Sequence, residues 1–538
     1  MMADKAPPMD LPPALPAEPW RPQFNPWLIA VVVAMAAFME VLDTSIANVA
    51  LPYMAGNLGA SNDESTWVLT SYLVSNAIVL PISGWFASVL GRKRFFMACL
   101  AIFTLSCLLC GIAPSLATLI LFRVLQGAGG GGLQSMAQAI LADVFPPRQR
   151  GLAFALYGIT SIMAPTIGPT LGGWITDQYT WRWIFLINLP VGIVALFLIF
   201  RLVEDPPWAK RAPGAGVKID YIGVSLLVIG VGALQVMLDK GQEEDWFGST
   251  FILTLGVIAG AGLIALVIWE WFYKNPIIEV RLFKNLNFLG ANAMMFILGI
   301  MLFSSLVMMP QFLQTLLGYT AESAGLVLSG GGLLLLFLMP IAGTLVSKVQ
   351  ARYIIAFGWL TLSGAMYYST QRLNLQMSFE TASMLRIIQV FGLGFLFVPI
   401  NLVSYVGMPA QKSNSVAGIV NFMRNIGASI GTSMVTTLIA RRAQFHQVNL
   451  AAHFTPGQPA FTSAAKALAA RLTVSGLDAS RAASQAYGRL YRALIAQATT
   501  LAYIDTYWIL AVGAAIMFLL SFALRKNAPG AGGEVAVG

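Results

Sequence analysis

The sequence predicts an all-α polytopic membrane protein made of two six-helix halves with two further helices inserted between them. Three observations carry that prediction. Of 538 residues, 57% are apolar and only 10% charged, whereas soluble domains run near a quarter charged. Fourteen runs stay apolar over the length, about 20 residues, that a helix needs to cross the hydrocarbon core. The second half of the chain also repeats features of the first.

In chain order, residues 1–26 read as a proline-rich cytoplasmic tail without the charged-then-apolar order of a secretory signal. The N-terminal half, 27–203, places its spans at roughly 27–51, 66–87, 94–112, 117–141, 151–175 and 183–203. A linker, 204–287, holds the inserted pair at 219–238 and 250–273. The C-terminal half, 288–524, follows with 288–310, 323–346, 353–370, 382–406, 415–440 and 504–524, and 525–538 form a second tail. Its segment 441–503 is too polar to span and reads as an outer loop. Stretches such as "AAKALAARL" there suit exposed amphipathic helices that dock a partner.

Charge sets the orientation. With the amino terminus inside, the tails and inner loops hold nineteen of the thirty-two Lys and Arg residues. The short outer loops hold three, Arg182, Lys240 and Arg372. That bias puts both termini in the cytoplasm. The net charge of +9 then reflects basic inner loops, not contact with nucleic acid. Cys99, Cys107 and Cys110 share one apolar run, with neither disulfide nor zinc spacing, and read as packing residues.

The repeat is visible in "LFRVLQGAGGGGL" (121–133) and "MLRIIQVFGLGFL" (384–396), where Arg123 matches Arg386 and Gln126 matches Gln389 at an offset of 263. A second echo pairs "GWFASVLGRK" (84–93) with "GTLVSKVQAR" (343–352) at an offset of 259. Parallel halves of this kind are used by alternating-access transporters.

Span one contains "FMEVLDTSIANVALP", with Glu40 and Asp43 three residues apart and some 20 Å from the cytoplasmic end. A charge at that depth costs about 2.5–3.5 kcal/mol on insertion scales. Either the pair binds and releases a proton that the two acids share, or both acids hydrogen-bond to neighbouring spans and hold them together. Matching Pro52 with Pro310 sets Asp43 opposite Met301, so the acid has no mate in the second half. Arg123 either leans toward the outer interface or pairs with Asp43 across the bundle. Arg386 and Arg424 either meet an anionic substrate or sit near span ends. In "APTIGPTLGGW", Pro165 and Pro169 remove helix hydrogen bonds, while Gly168, Gly172 and Gly173 permit close helix contact.

These stretches resemble signatures of the major facilitator superfamily: "LDTSIANVALP", "GWFASVLGRKRF", "RVLQG", "GPTLGGW" and "WRWIFLINLPVG". With fourteen spans the chain is similar to the drug:proton antiporter branch of EmrB and QacA type, and "LQVMLDKGQEEDWF" and "NFMRNIGASIGTS" bring it nearer EmrB. The resemblance implies multidrug efflux, the proton-driven export of hydrophobic toxic compounds across the bacterial inner membrane by alternating access. It implies coupling by Asp43 and Arg123, to which the depth of Glu40 in the same span adds that acid as a candidate, an antiporter motif at Gly168, Pro169, Gly172 and Gly173, and gating at Gly84, Gly91 and Arg92. Gln126, Gln389, Arg386 and Arg424 remain candidates for substrate contact or charge relay. It further implies an EmrA-like periplasmic membrane-fusion adaptor and a TolC-like outer-membrane channel, with 441–503 as their contact. The family loop carries Asp and Arg where this chain has Ser88 and Val89, so a charge latch at those two positions is not expected.

A dedicated exporter of one natural product, such as an aromatic acid or siderophore, shares almost every feature. The drug site is expected near mid-membrane on spans one, four, five and nine, walled by Met, Phe and Ile. No phosphate-cradling loop occurs, and neither His446 nor His453 has a metal or nucleophile constellation around it, so no enzyme activity, metal or cofactor is expected beyond the proton gradient.

Overall fold

The computed structural model describes residues 22–206, 220–452, 454–455 and 457–525. Most of both predicted tails, part of the linker and His453 lie outside these residues. The first half contains α1 (Pro26–Leu58), α2 (Asn62–Leu90), α3 (Arg92–Gly111), α4 (Leu116–Val144), α5 (Arg150–Gln178), α6 (Trp183–Leu186) and α7 (Asn188–Leu202). Helices α8 (Tyr221–Lys240) and α9 (Thr250–Phe272) follow. The second half contains α10 (Leu286–Leu316), α11 (Ala321–Leu345), α12 (Ala351–Arg372), α13 (Phe379–Gly394), α14 (Phe397–Ser404), α15 (Ser413–Ala451), α16 (Pro459–Val474) and α17 (Ala479–Ser521).

Local chemistry sets several boundaries. Asn25 accepts from the Trp27 amide at the start of α1, where Pro26 has no N–H to lose. Ser61 and Glu64 form a reciprocal capping box on α2, and Ser115 with Thr118 form another on α4. Gly59 ends α1 at φ +66°, a left-handed conformation that favours glycine.

Among the described residues, twelve helices are long and apolar enough to cross a membrane, counting α6–α7 and α13–α14 each as one. Helices α12 and α15, predicted as spans, fall short of that mark yet pack inside the same bundle, α12 on α17 and α15 on α10. Their polar groups are used internally: Ser363 donates to the Ala511 carbonyl at 2.8 Å, and Asn421 and Arg424 face the other half.

Equivalent packing recurs in both halves. Helix α1 lies on α5 as α10 lies on α15, and α2 lies on α4 as α11 lies on α13. The halves meet along α2–α15 and α5–α11, while α8 and α9 pack on each other and α8 reaches α2 and α15. The segment predicted as loop 441–503 is instead mostly a continuation of spans. At 1.5 Å per residue, the 39 residues of α15 and 43 of α17 run well beyond a core of about 30 Å. Helix α16 packs on α17 through Leu472, Ala482 and Ala486.

Candidate functional site

Asp43 is 1% exposed and fully bonded. Its Oδ2 accepts from Arg123 Nη1 at 2.7 Å and its Oδ1 from Asn188 Nδ2 at 2.8 Å. The guanidinium does more than pair with the acid. Arg123 Nε donates to the Val68 carbonyl at 3.0 Å, Nη1 also reaches Gln126 Oε1 at 2.8 Å, and the group lies 4.3 Å from the Tyr72 ring centre. Of the two settings left open for Arg123, the structure has the pair. Gln126 donates in turn to Cys107 Sγ at 3.0 Å, so that cysteine accepts a hydrogen bond as well as filling space.

Glu40 sits differently. It forms no ion pair among the described residues, and neutral donors hold it: Tyr72 Oη at 2.7 Å and Asn76 Nδ2 at 2.9 Å on Oε1, Gln134 Nε2 at 2.5 Å on Oε2. Gly130 in α4 leaves room for this, since a Cβ there would meet the Tyr72 hydroxyl at 2.6 Å. The expectation that the two acids share a proton is corrected here. Three residues along a helix turn the side chains about 60° apart, and the two carboxylates face separate partner sets.

A cavity of about 580 Å³ opens at the end of the bundle away from the termini, a size typical of small-molecule sites. Glu40 lies deep in it, beside Tyr72, Asn76 and Gln134, and Asp239 and Glu243 line its outer part. Asp43 and Arg123 do not line it. The expected walls of Met, Phe and Ile are also corrected: Phe303, Leu306 and Val307 of α10 are joined by Asn48, Gln235, Asn425 and several Ser and Thr residues. The polar walls come partly from α8, α15 and α2, helices not expected at the site. Asp239 is bonded to Thr70, and Lys240 turns to Glu243 at 2.6 Å and to Thr66.

The glycine–proline motif has a specific job. Pro169 has no N–H, which frees the Pro165 carbonyl one turn earlier, and Ser45 Oγ donates to that carbonyl at 3.2 Å. Gly168 makes the approach feasible, since a Cβ there would lie 2.3 Å from Ser45 Oγ, and Gly172 sits against Ile46. Gly173 does not share the role: a Cβ there would meet nothing within 4 Å.

At the opposite end the halves are shut. Gly84 packs on the Ser415 backbone, and its repeat mate Gly343 packs on the Gly151 carbonyl, so the second sequence echo marks two equivalent seals. Arg92 pairs with Asp143 and donates to Ser413 Oγ at 3.0 Å, while Ser88 turns back to the Trp85 carbonyl of its own helix. Gly91 has φ +86° and joins α2 to α3.

In the second half Arg386 is buried and donates from Nη1 to Ser305 Oγ at 3.0 Å, and Gln389 donates to Ser369 at 2.9 Å. Ser305 therefore stands where Asp43 stands in the first half, at an offset of 262. The mate inferred from the prolines, Met301, is one turn off. Arg424 is no span-end residue: it is buried and donates to Gln134 Oε1 from the other half. Tyr72, Asn76, Gln134 and Asn188 were missed in the sequence. Their signal was an uncharged polar side chain inside an apolar run.

Two symmetric bundles, a central cavity open at one end and buried ionisable groups inside the spans define a membrane transporter. The chain belongs to the Major Facilitator Superfamily, whose family model matches residues 33–432. It is similar to the multidrug export protein EmrB of Haemophilus influenzae, 38% identical over 432 residues covering 80% of this chain and 84% of that one. EmrB of Escherichia coli K12 is 34% identical over 507 residues, covering 94% and 97%. The fatty acid resistance protein FarB of Neisseria gonorrhoeae is 38% identical over 453 residues, covering 84% and 87%. Among solved structures, the proton:xylose symporter XylE shares the fold with TM-score 0.56 at 13% identity, covering 93% of this chain and 96% of that one.

Proposed function

We propose that this protein expels hydrophobic toxic small molecules across the bacterial inner membrane in exchange for protons, with both termini in the cytoplasm. One observation carries the reading: α1 brings two buried carboxylates to mid-depth, Glu40 facing the cavity and Asp43 locked to Arg123 behind it. Glu40 takes a proton from the outer cavity. Asp43 takes one when Arg123 is drawn to other acceptors during the rearrangement of the halves. No cofactor is needed beyond the gradient: one charge moved down about 100 mV is worth ~2.3 kcal/mol. At ~1.4 kcal/mol per tenfold, that sustains roughly a fifty-fold drug gradient.

The cavity favours a broad pump over an exporter dedicated to aromatic acids. Its described ionisable lining is Glu40, Tyr72, Asp239 and Glu243, which offers no cation to a carboxylate ligand. The extensions of α15 and α17 beyond the membrane, with α16 beside them, carry exposed Tyr487, Tyr491 and Val474 and suit contact with a periplasmic adaptor leading to an outer-membrane channel.

Purified protein in proteoliposomes with an imposed pH gradient tests the reading, using a hydrophobic dye as substrate. Asp43→Asn and Glu40→Gln each retain dye binding but lose gradient-driven accumulation by at least about tenfold. Accumulation by Asp43→Asn at the normal rate sinks the coupling role of that acid.

A further inference from the structure

We propose that Gln134 is the positioning residue through which the charge on Glu40 holds the two halves together at the cavity floor. The proposal rests on the reading that Glu40 binds and releases a proton. Gln134 lies on α4 of the first half and is 5% exposed. Its amide nitrogen donates to Glu40 Oε2 at 2.5 Å, and its carbonyl accepts from Nη2 of Arg424 on α15 of the second half.

A primary amide is polar in one direction. Here its N–H end faces a carboxylate and its oxygen a guanidinium, so both charges favour the same orientation. Neutralising Glu40 removes one of them. A proton on Oε2 would also set O–H against N–H. Turning the amide to relieve that clash presents N–H to the N–H of Arg424. Either way the tie between α4 and α15 weakens.

The groups that face Glu40 are few. Tyr72 comes from α2, Tyr157 from α5 and Arg424 from α15, while Asp43 on its own helix is paired with Arg123. Arg424 is thus the cation that senses its charge. One turn further in, α4 makes a second tie. Gln138 donates to Asn401 and accepts from Asn421 Nδ2 at 2.5 Å, and Tyr157 donates to Asn421 Oδ1 at 2.9 Å. That layer contains amides and a phenol and does not change charge near neutral pH. The Arg92–Asp143 pair, bonded across the halves to Ser413, does not line the cavity, whereas Glu40 and Gln134 do, so the response to protons that enter through the cavity belongs to the upper tie. Its direction follows: ionised Glu40 keeps the inner end shut, and protonation from the outer cavity lets α15 leave α4 and the inner end open.

Spin labels on Arg148→Cys and Thr344→Cys, exposed positions at the inner end of the two halves, report that opening as a distance distribution. In reconstituted protein the separated population rises as pH falls from about 8 to about 5. Gln134→Leu makes the distribution independent of pH, and Arg424→Gln does the same from the other end of the tie. Gln138→Leu, which breaks the lower layer, shifts the population at every pH but keeps the response. Glu40→Gln fixes the distribution at the low-pH form. A full pH response in Gln134→Leu, with the response lost in Glu40→Gln, overturns the role of Gln134 alone. A full response in Glu40→Gln overturns both that role and the reading of Glu40 beneath it.

Discussion

Arg123 shows how much one side chain can be asked to do inside a membrane. It neutralises Asp43, satisfies the Val68 carbonyl and Gln126, and lies over Tyr72. A lysine retains the charge but has neither the planar fork nor the flat face. Arg123→Lys should therefore lose drug resistance almost as fully as Arg123→Gln, at unchanged expression, in growth assays with a hydrophobic toxin. Arg123→Gln should also lower the unfolding temperature, because breaking a buried pair costs about 3–5 kcal/mol unless Asp43 protonates. That loss shrinks at low pH, where the acid is neutral; the sign follows from a group that is stabilised charged only while its cation is present. The acids themselves were legible in the sequence because a charge in an apolar run is rare. Their neutral donors were not, because Asn, Gln and Tyr occur in spans for many reasons.

At the scale of helices, the glycine–proline stretch separates residues that composition treats alike. Gly168 and Gly173 both stand in "GPTLGGW", yet only Gly168 is pressed against α1. Gly168→Ala should abolish transport or folding, whereas Gly173→Ala should keep both within about twofold, since it enters open space. Dye efflux from cells and size-exclusion profiles of the purified variants check this pair. Register was harder to read than element type. Spans, repeat and the Arg123–Arg386 match were legible because hydropathy and rare intramembrane charges both mark them. The α1–α10 register failed by one turn because proline position reports where a helix bends, not which face it presents. The polar tract 441–503 was read as loop for a related reason. Beyond the lipid a helix needs no apolar periphery, so hydropathy falls while the α15 and α17 backbones continue unbroken.

For the whole molecule, the contacts define one member of an alternating cycle. The Gly84 and Gly343 seals, the Arg92–Asp143 pair and the Gln134–Arg424 tie all lie on the closed side of the cavity, and Glu40 is reached from the other side. Two halves that pivot about such a floor expose it to one face at a time, and any ligand that prefers one form shifts the balance by its differential affinity. Ser429 lines the cavity on α15 and is half-buried, while the native cysteines Cys99, Cys107 and Cys110 are at most 3% exposed. A membrane-impermeant maleimide added outside cells should therefore label Ser429→Cys and leave the unsubstituted protein unlabelled. On the proposed coupling, lowering the outside pH protonates Glu40 and draws molecules out of the form whose cavity faces outward. Labelling at about pH 5.5, corrected for thiol ionisation with a cysteine placed at exposed Val474, should then slow by twofold or more. Glu40→Gln should remove that dependence. Equal labelling at both pH values in the parent, after the same correction, would mean that protons do not set which side the cavity faces.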